Sequence, residues 1–296
     1  MRYIFEPGFF SSGPVWTALL VGAVVAITSA VVGVFTVTRG QSFAGHSLAD
    51  IATTGGSGAF LIGVNQFWGY LAFGAGAAAF MELIGVQRRR GRDVATGVVL
   101  GGALGLAALF LYLGTQISTT TGASFTILFG SIFVLSPSTV PFLIASAVLA
   151  LGTVLVLARV LLLSSLSPDI AAARGVPVRL VGMAYLMALA VSVALSAVII
   201  GAVLSTALLI GPAATALRVA RGPVRALATA AVIGVVATWL GVVLAYDSFY
   251  WPPAGHGWPV SFFVVALVVG CYLVTYLRPG RSRPQAPQPE HACSPA

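Results

Sequence analysis

The stretch RLVGMAYLMALAVSVALSAVIIGAVLSTALLIGPAATALRVA, residues 179–220, decides the fold of this chain. Between Arg179 and Arg218 it contains no acidic or basic side chain. A helix needs about 20 mostly apolar residues to cross the ~30 Å hydrocarbon core of a membrane. The stretch is therefore long enough for two successive crossings, which we place at 179–199 and 200–220.

The rest of the chain has the same character. Of its 296 residues, 58% are hydrophobic and 7% are charged, and the mean hydropathy is +1.02. Because a soluble domain carries about 25% charged residues on its surface, we predict an all-α, polytopic membrane bundle of about nine transmembrane helices. The seven further spans are predicted at 15–37, 42–63, 67–86, 94–113, 141–163, 226–246 and 260–277.

The basic residues predict the orientation. All 15 are arginines, and all except Arg2 cluster after the odd-numbered spans. Arginine is enriched in cytoplasmic loops, so the pattern predicts an outside N-terminus and a cytoplasmic C-terminus. The net charge of +8 is then a topology signal, and no nucleic-acid partner is expected. The clustered arginines are Arg39, Arg88, Arg89, Arg90, Arg92, Arg159, Arg174, Arg179, Arg218, Arg221, Arg225, Arg278, Arg281 and Arg283.

The absence of lysine excludes one activity. A Walker A loop needs a lysine to reach the nucleotide phosphates, and this sequence has none. The chain is therefore predicted not to be an enzyme, and any ATP-driven work requires a separate ATPase chain. Cys271 and Cys293 do not form a disulfide framework.

Two segments stand apart from the spans. Residues 123–140 are apolar but short, and they are interrupted by Gly130 and Pro137. They fit either a re-entrant helix, which needs protein or a water-filled cavity around it, or a periplasmic surface helix. Residues 279–296 are rich in Pro, Gln and Ala, which predicts a disordered cytoplasmic tail after a permease domain at 1–278.

The second span carries an unusual pair of ionisable residues, His46 and Asp50. Residues four apart lie on one face of a helix, so the imidazole and the carboxylate should converge. Both are ligands for Zn²⁺ or Mn²⁺, and two ligands would give a weak, releasing site. The alternative is a His–Asp contact that only packs helices. Glu82 is expected to pair with an arginine such as Arg89, and Asp93 to cap a helix start.

Residues 55–58 read Gly-Gly-Ser-Gly, which is also found around the nucleophile of intramembrane serine proteases. Such an enzyme needs a histidine base that reaches Ser57 from another helix. His46 lies on the same segment about three turns away, so this alternative is weak.

Four segments carry family motifs: 45–48 (GHSL), 128–132 (LFGSI), 167–177 (SPDIAAARGVP) and 209–216 (LIGPAATA). Together they resemble the membrane permeases of zinc, manganese and iron ABC importers, which are similar to metal-chelate (type II) ABC permeases. The resemblance extends from about residue 15 to 277. The sequence departs from the family at Gly45 and Ser47, where a Ser-His-Ala segment is usual. An acidic residue that the family carries a few positions earlier is also missing, since Gln41 and Ser42 stand there. The resemblance also implies that the chain lies in a bacterial inner (plasma) membrane.

The resemblance implies roles for two of these segments. The segment at 167–177 would form the coupling helix that docks on the ATPase, through Asp169, Ile170, Ala171, Ala172, Ala173, Arg174 and Gly175. Around the helix-breaking proline of the seventh span, Gly211, Pro212 and Ala213 would line or flex the translocation path, or only kink the helix.

The resemblance also implies the assembly. Two copies would form a homodimer in lipid with two ATPase subunits and a periplasmic or lipoprotein metal-binding receptor. A divalent metal ion would be the transported substrate, and no permanently bound cofactor is expected. The alternatives are a permease for a metal chelate (siderophore, haem or cobalamin) and a stand-alone channel or secondary transporter.

Overall fold

The computed structural model describes residues 9, 12–83, 92–117, 122–130, 132–166, 168–251 and 257–277. This part of the chain is all-α, as predicted, and contains eleven α-helices and no β-strand. The helices are α1 (Gly13–Thr38), α2 (Ser42–Leu61), α3 (Gln66–Leu83), α4 (Arg92–Ile117), α5 (Gly122–Phe129), α6 (Val140–Leu166), α7 (Pro168–Ala173), α8 (Val178–Ile200), α9 (Ser205–Val219), α10 (Pro223–Ser248) and α11 (Val260–Leu277).

Six of these helices, α1, α4, α6, α8, α10 and α11, are long and apolar enough to cross a membrane within the described ranges. They fall into two groups. In α1 and α8, 72% of the most apolar window is buried, whereas the other four bury between 11% and 33% of theirs. The bundle therefore has α1 and α8 at its centre, and the outer helices turn apolar side chains towards the lipid.

Helix α2 is more polar than its neighbours and packs against α3 through glycines. A side chain on Gly55 would strike the backbone of Gly69, and one on Gly69 would strike the backbone of Gly55. A β-carbon on Gly56 would lie 2.5 Å from the ring of Tyr70. The glycine-rich run of α2 thus permits two backbones to touch, which is how small residues join helices in a membrane.

The break predicted within 123–140 is present. Helix α5 ends at Phe129, Gly130 has a φ of 75°, and a short 3₁₀ turn follows at Ile132–Val134. The backbone N–H groups of Ala202 and Val203 donate to the carbonyls of Ile127 and Leu128 at 3.2 and 3.4 Å. The end of α5 is therefore held against the α8–α9 junction inside the protein.

The span predicted at 200–220 differs in length. Helix α9 begins only at Ser205 and has 15 residues, because Gly201 has a φ of 94° and residues 202–204 form a turn. The predicted bounds of the last span, 260–277, agree with α11. The predicted tail at 279–296, the arginines at 88–90 and Asp93's side chain lie outside the described residues.

Candidate functional site: a histidine–aspartate pair at one end of the bundle

His46 and Asp50 converge on one face of α2, as their spacing predicted. His46 Nε2 lies 3.5 Å from Asp50 Oδ2. The His46 side chain is 50% exposed and that of Asp50 is 13% exposed. Phe43, one turn earlier on the same face, is also exposed. The first half of α2 thus presents an open face, whereas residues 52–57 are buried.

The gap between the two ligand atoms suits a shared cation. It is longer than a good N–H···O hydrogen bond of about 2.9 Å. Metal–nitrogen and metal–oxygen bonds near 2.1 Å at a tetrahedral angle separate two donors by about 3.4 Å. The observed 3.5 Å is close to that separation, so one ion could contact both atoms without a rearrangement of α2.

The pair is an incomplete set of ligands within one chain. No group of three or more His, Cys, Asp or Glu side chains forms among the described residues. A tetrahedral ion would therefore need two further ligands from water or from another molecule. Two protein ligands bind weakly, and weak binding is what a site of passage requires.

Gly45, one of the two departures from the family motif, packs closely against two other helices. A β-carbon on Gly45 would lie 3.1 Å from Leu209 Cδ2 of α9 and 3.5 Å from Thr36 Cγ2 of α1. A serine at this position would crowd Leu209, so the glycine lets α2 approach α9. Ser47, the other departure, is buried and donates a hydrogen bond to the carbonyl of Phe43.

The predicted coupling segment contains a short helix, α7, between α6 and α8. Ile170 is 52% exposed, whereas Ala171 is fully buried. Ala173, Arg174 and Gly175 are exposed, and Gly175 ends the segment with a φ of 76°. The side chains of Asp169 and Ala172 lie outside the described part. The segment thus offers an exposed apolar residue and a basic residue at the surface.

The predicted path residues on α9 are packed between helices. Pro212 lies inside α9, and Ala213 is fully buried. A side chain on Gly33 of α1 would strike the backbone of Leu209, and one on Gly211 would strike Val268 of α11. Helix α9 is therefore tightly held between α1 and α11, and a role of Gly211, Pro212 and Ala213 in the path stays a prediction.

A polar cluster that the sequence did not predict lies near α7. Arg39 Nη1 donates to Ser164 Oγ at 2.9 Å, and the hydroxyls of Thr36 and Tyr185 lie 2.8 Å apart. The Glu82 carboxylate lies against Gly182 of α8, where a β-carbon would be 3.3 Å from its oxygens. The expected partner Arg89 lies outside the described residues, so its pairing with Glu82 stays a prediction.

The Gly-Gly-Ser-Gly segment has a packing role in the structure. Ser57 Oγ donates to the carbonyls of Thr53 and Thr54 of its own helix, at 2.8 and 3.1 Å. Ser57 is fully buried, whereas His46 is half-exposed on the open face of α2. The hydroxyl therefore has no base to activate it among the described residues, and the arrangement does not support a protease.

The comparison with protein families decides the affiliation. The model of the ABC 3 transport family matches residues 14–275, which is most of the chain. This chain belongs to the ABC 3 transport family. The resemblance drawn from the four motifs is thereby confirmed, and the matched range runs from the first turn of α1 to the last turn of α11.

Relatives of this ABC 3 chain carry the names of metal transporters. It is 28% identical over 244 residues to the manganese transport system membrane protein MntC of Listeria innocua, covering 82% of this chain and 85% of the relative. It is 26% identical over 238 residues to the high-affinity zinc uptake system membrane protein ZnuB of Haemophilus influenzae, covering 80% and 89%.

A solved structure shares the fold. The chain is similar to one in the structure of PsaBC from Streptococcus pneumoniae in complex with Fab, with a TM-score of 0.77 and 24% identity. The match covers 92% of this chain and 94% of the other. This ABC 3 chain therefore shares its helical arrangement with that solved structure over nearly its whole length.

Proposed function

We propose that this chain is the transmembrane permease of an ATP-driven importer of divalent transition-metal ions, with Zn²⁺, Mn²⁺ or Fe²⁺ as the transported substrate. The convergence of His46 and Asp50 at a metal-compatible separation is the observation that carries this proposal for the chain itself. Membership of the ABC 3 transport family supports it. The names of the manganese and zinc relatives support the choice of cargo.

Two copies of the chain form the permease in this proposal. A two-fold axis presents the same surface of each copy to the other. If the open face of α2 lies at that axis, two His46–Asp50 pairs would supply the four ligands that one chain does not. Such a site would be complete only at the centre of a homodimer, where a transport path between the copies would run.

The proposed orientation is N-out and C-in, with nine crossings of a bacterial inner membrane. Basic residues of several helices lie at the same end of the bundle, which supports this orientation. Arg39 follows α1 and donates to Ser164 in the last turn of α6, and Arg179 lies in the first turn of α8. Because arginine marks the cytoplasmic side, this end and α7 face the cytoplasm.

Energy comes from a separate chain in this proposal. An ATPase subunit binds α7, and a periplasmic or lipoprotein receptor delivers the ion to the opposite end. The chain performs no covalent chemistry. Its ligand pair binds the ion briefly and selects against other ions by its geometry. Its helices move between outward- and inward-facing states when the ATPase closes.

Metal uptake tests the proposal. Cells that lack this chain are supplied with wild type, His46→Ala, or a chain with residues 169–175 scrambled, and uptake of radiolabelled Zn²⁺ and Mn²⁺ is measured. We expect wild type to restore uptake of at least one metal and both variants to fail. Loss of function on scrambling would also argue against a stand-alone channel, which needs no coupling helix.

Two outcomes would contradict the proposal. Wild type that restores neither ion would rule out the cargo and favour a metal chelate. If His46→Ala restores metal uptake as efficiently as wild type, the His46–Asp50 pair has no role in transport.

A further inference from the structure

The last turn of α1 is bonded to both helices that flank α7. Arg39 Nη1 donates to Ser164 Oγ at 2.9 Å, and Ser164 lies in the last turn of α6. The Thr36 hydroxyl lies 2.8 Å from that of Tyr185, two turns into α8. Since α6 ends just before α7 and α8 begins just after it, α7 is bracketed by contacts to one turn of α1.

The contacts of this turn are largely shielded from solvent. Tyr185 and Thr36 are fully buried and Ser164 is 6% exposed. The guanidinium carbon of Arg39 lies 5.1 Å from the centre of the Tyr185 ring, a cation–π arrangement. Hydrogen bonds and cation–π contacts are stronger when desolvated, so these groups hold the ends of α1, α6 and α8 as one unit.

The same turn leads directly to the ligand pair. The N–H of Gln41 donates to the carbonyl of Thr36 at 2.9 Å, and that of Gly40 donates to Val37 at 3.1 Å. Helix α2 begins at Ser42, and His46 lies on its open face about one turn later. Because the corner between α1 and α2 is short and internally hydrogen-bonded, a displacement of the end of α1 should be passed on to the start of α2.

We infer that Arg39 is the positioning residue that transmits movement of α7 to the His46–Asp50 pair. The inference rests on the proposed function, in which an ATPase moves α7. A shift of α6 and α8 relative to α1 must either carry the α1–α2 corner along or break the Arg39 and Thr36 contacts. A discrete set of bonded helix ends is the kind of element through which two distant sites are coupled.

The ratio of metal uptake to ATP hydrolysis tests the inference. Wild type and Arg39→Gln are each assembled with the ATPase and receptor in liposomes, and Mn²⁺ and Zn²⁺ uptake and phosphate release are measured together. We expect uptake per ATP to fall about tenfold in Arg39→Gln while receptor-stimulated hydrolysis stays within about twofold, a coupling loss of ordinary size.

Arg218 supplies the matched control. It also lies at a helix end beside aromatic rings, with its guanidinium carbon 5.0 Å from the centre of the Tyr276 ring, but these rings belong to α11 and not to a helix that flanks α7. Arg218→Gln should therefore keep the wild-type ratio. Arg39→Lys keeps the charge but loses the planar head, so it should recover only part of the ratio.

The outcomes separate this inference from the proposed function. Wild type that transports while Arg39→Gln keeps the wild-type ratio would overturn the inference and leave the proposed function standing. If wild type takes up neither Mn²⁺ nor Zn²⁺, both the inference and the proposed function are contradicted. If Arg39→Gln does not fold, Ser164→Ala and Tyr185→Phe each delete one hydrogen bond, and an unchanged ratio in both would equally overturn the inference.

Discussion

Gly130 and Gly201 meet backbone to backbone, although 123–140 and 200–220 were separate segments in the sequence. A side chain on Gly130 would strike Ile199, and one on Gly201 would strike Leu128. Both residues have positive φ, 75° and 94°. The contact fixes the end of α5 against the α8–α9 junction, where the N–H groups of Ala202 and Val203 donate to α5 carbonyls.

Gly130→Ala should destabilise the protein strongly, because it combines a strained φ with a backbone clash. Gly63 provides the control, since its φ is 74° and nothing lies within 4 Å of its β-carbon position. Gly63→Ala should cost about 1–2 kcal/mol from the left-handed backbone alone. Thermal unfolding in detergent measures both, and equal losses for the two variants would contradict the contact.

Gly69→Ala should weaken the packing of α3 on α2, because its methyl group would meet the backbone of Gly55. Gly76 lies on the same helix with nothing within 4 Å, so Gly76→Ala should be neutral or stabilising by up to about 1 kcal/mol from helix propensity. Gly69→Ala should therefore lower the melting temperature, whereas Gly76→Ala should leave it unchanged or raise it. A stability gain in both variants would mean that α2 and α3 do not touch here.

His46→Ala and Asp50→Asn should each lower the affinity of the purified protein for Mn²⁺ or Zn²⁺ by about tenfold or more, since each removes a ligand. The half-exposed His46 side chain contributes little to packing, so the free energy of unfolding should change by less than about 0.5 kcal/mol for His46→Ala. Calorimetric titration and thermal unfolding measure the two quantities. Unchanged metal affinity with a lower melting temperature would favour the helix-packing alternative.

Ile170→Glu should reduce binding of the ATPase subunit by about tenfold or more, because a charge would replace an exposed apolar residue of α7 in an interface. Val224→Glu is the control, since Val224 is 76% exposed in the first turn of α10, where an acidic residue is tolerated. Co-purification from membranes measures binding. Equal recovery of the ATPase with both variants would remove Ile170 from the docking surface.

The sequence by itself determined the helices and their order. Runs of apolar residues without charge gave α1, α6, α8, α10 and α11 close to their observed bounds, because a lipid solvent demands long, internally hydrogen-bonded segments. The i, i+4 spacing of His46 and Asp50 was enough to predict their convergence, since the helix period fixes that contact locally.

Only the tertiary structure decided which distant segments meet. Arg39 and Ser164 are 125 positions apart, and no local pattern marks them as partners. The same holds for Gly55 with Gly69, because backbone contact depends on how whole helices pack. The shorter α9 is the clearest case: hydropathy runs through residues 200–204, but hydrogen bonds from Ala202 and Val203 to α5 take that backbone out of the helix.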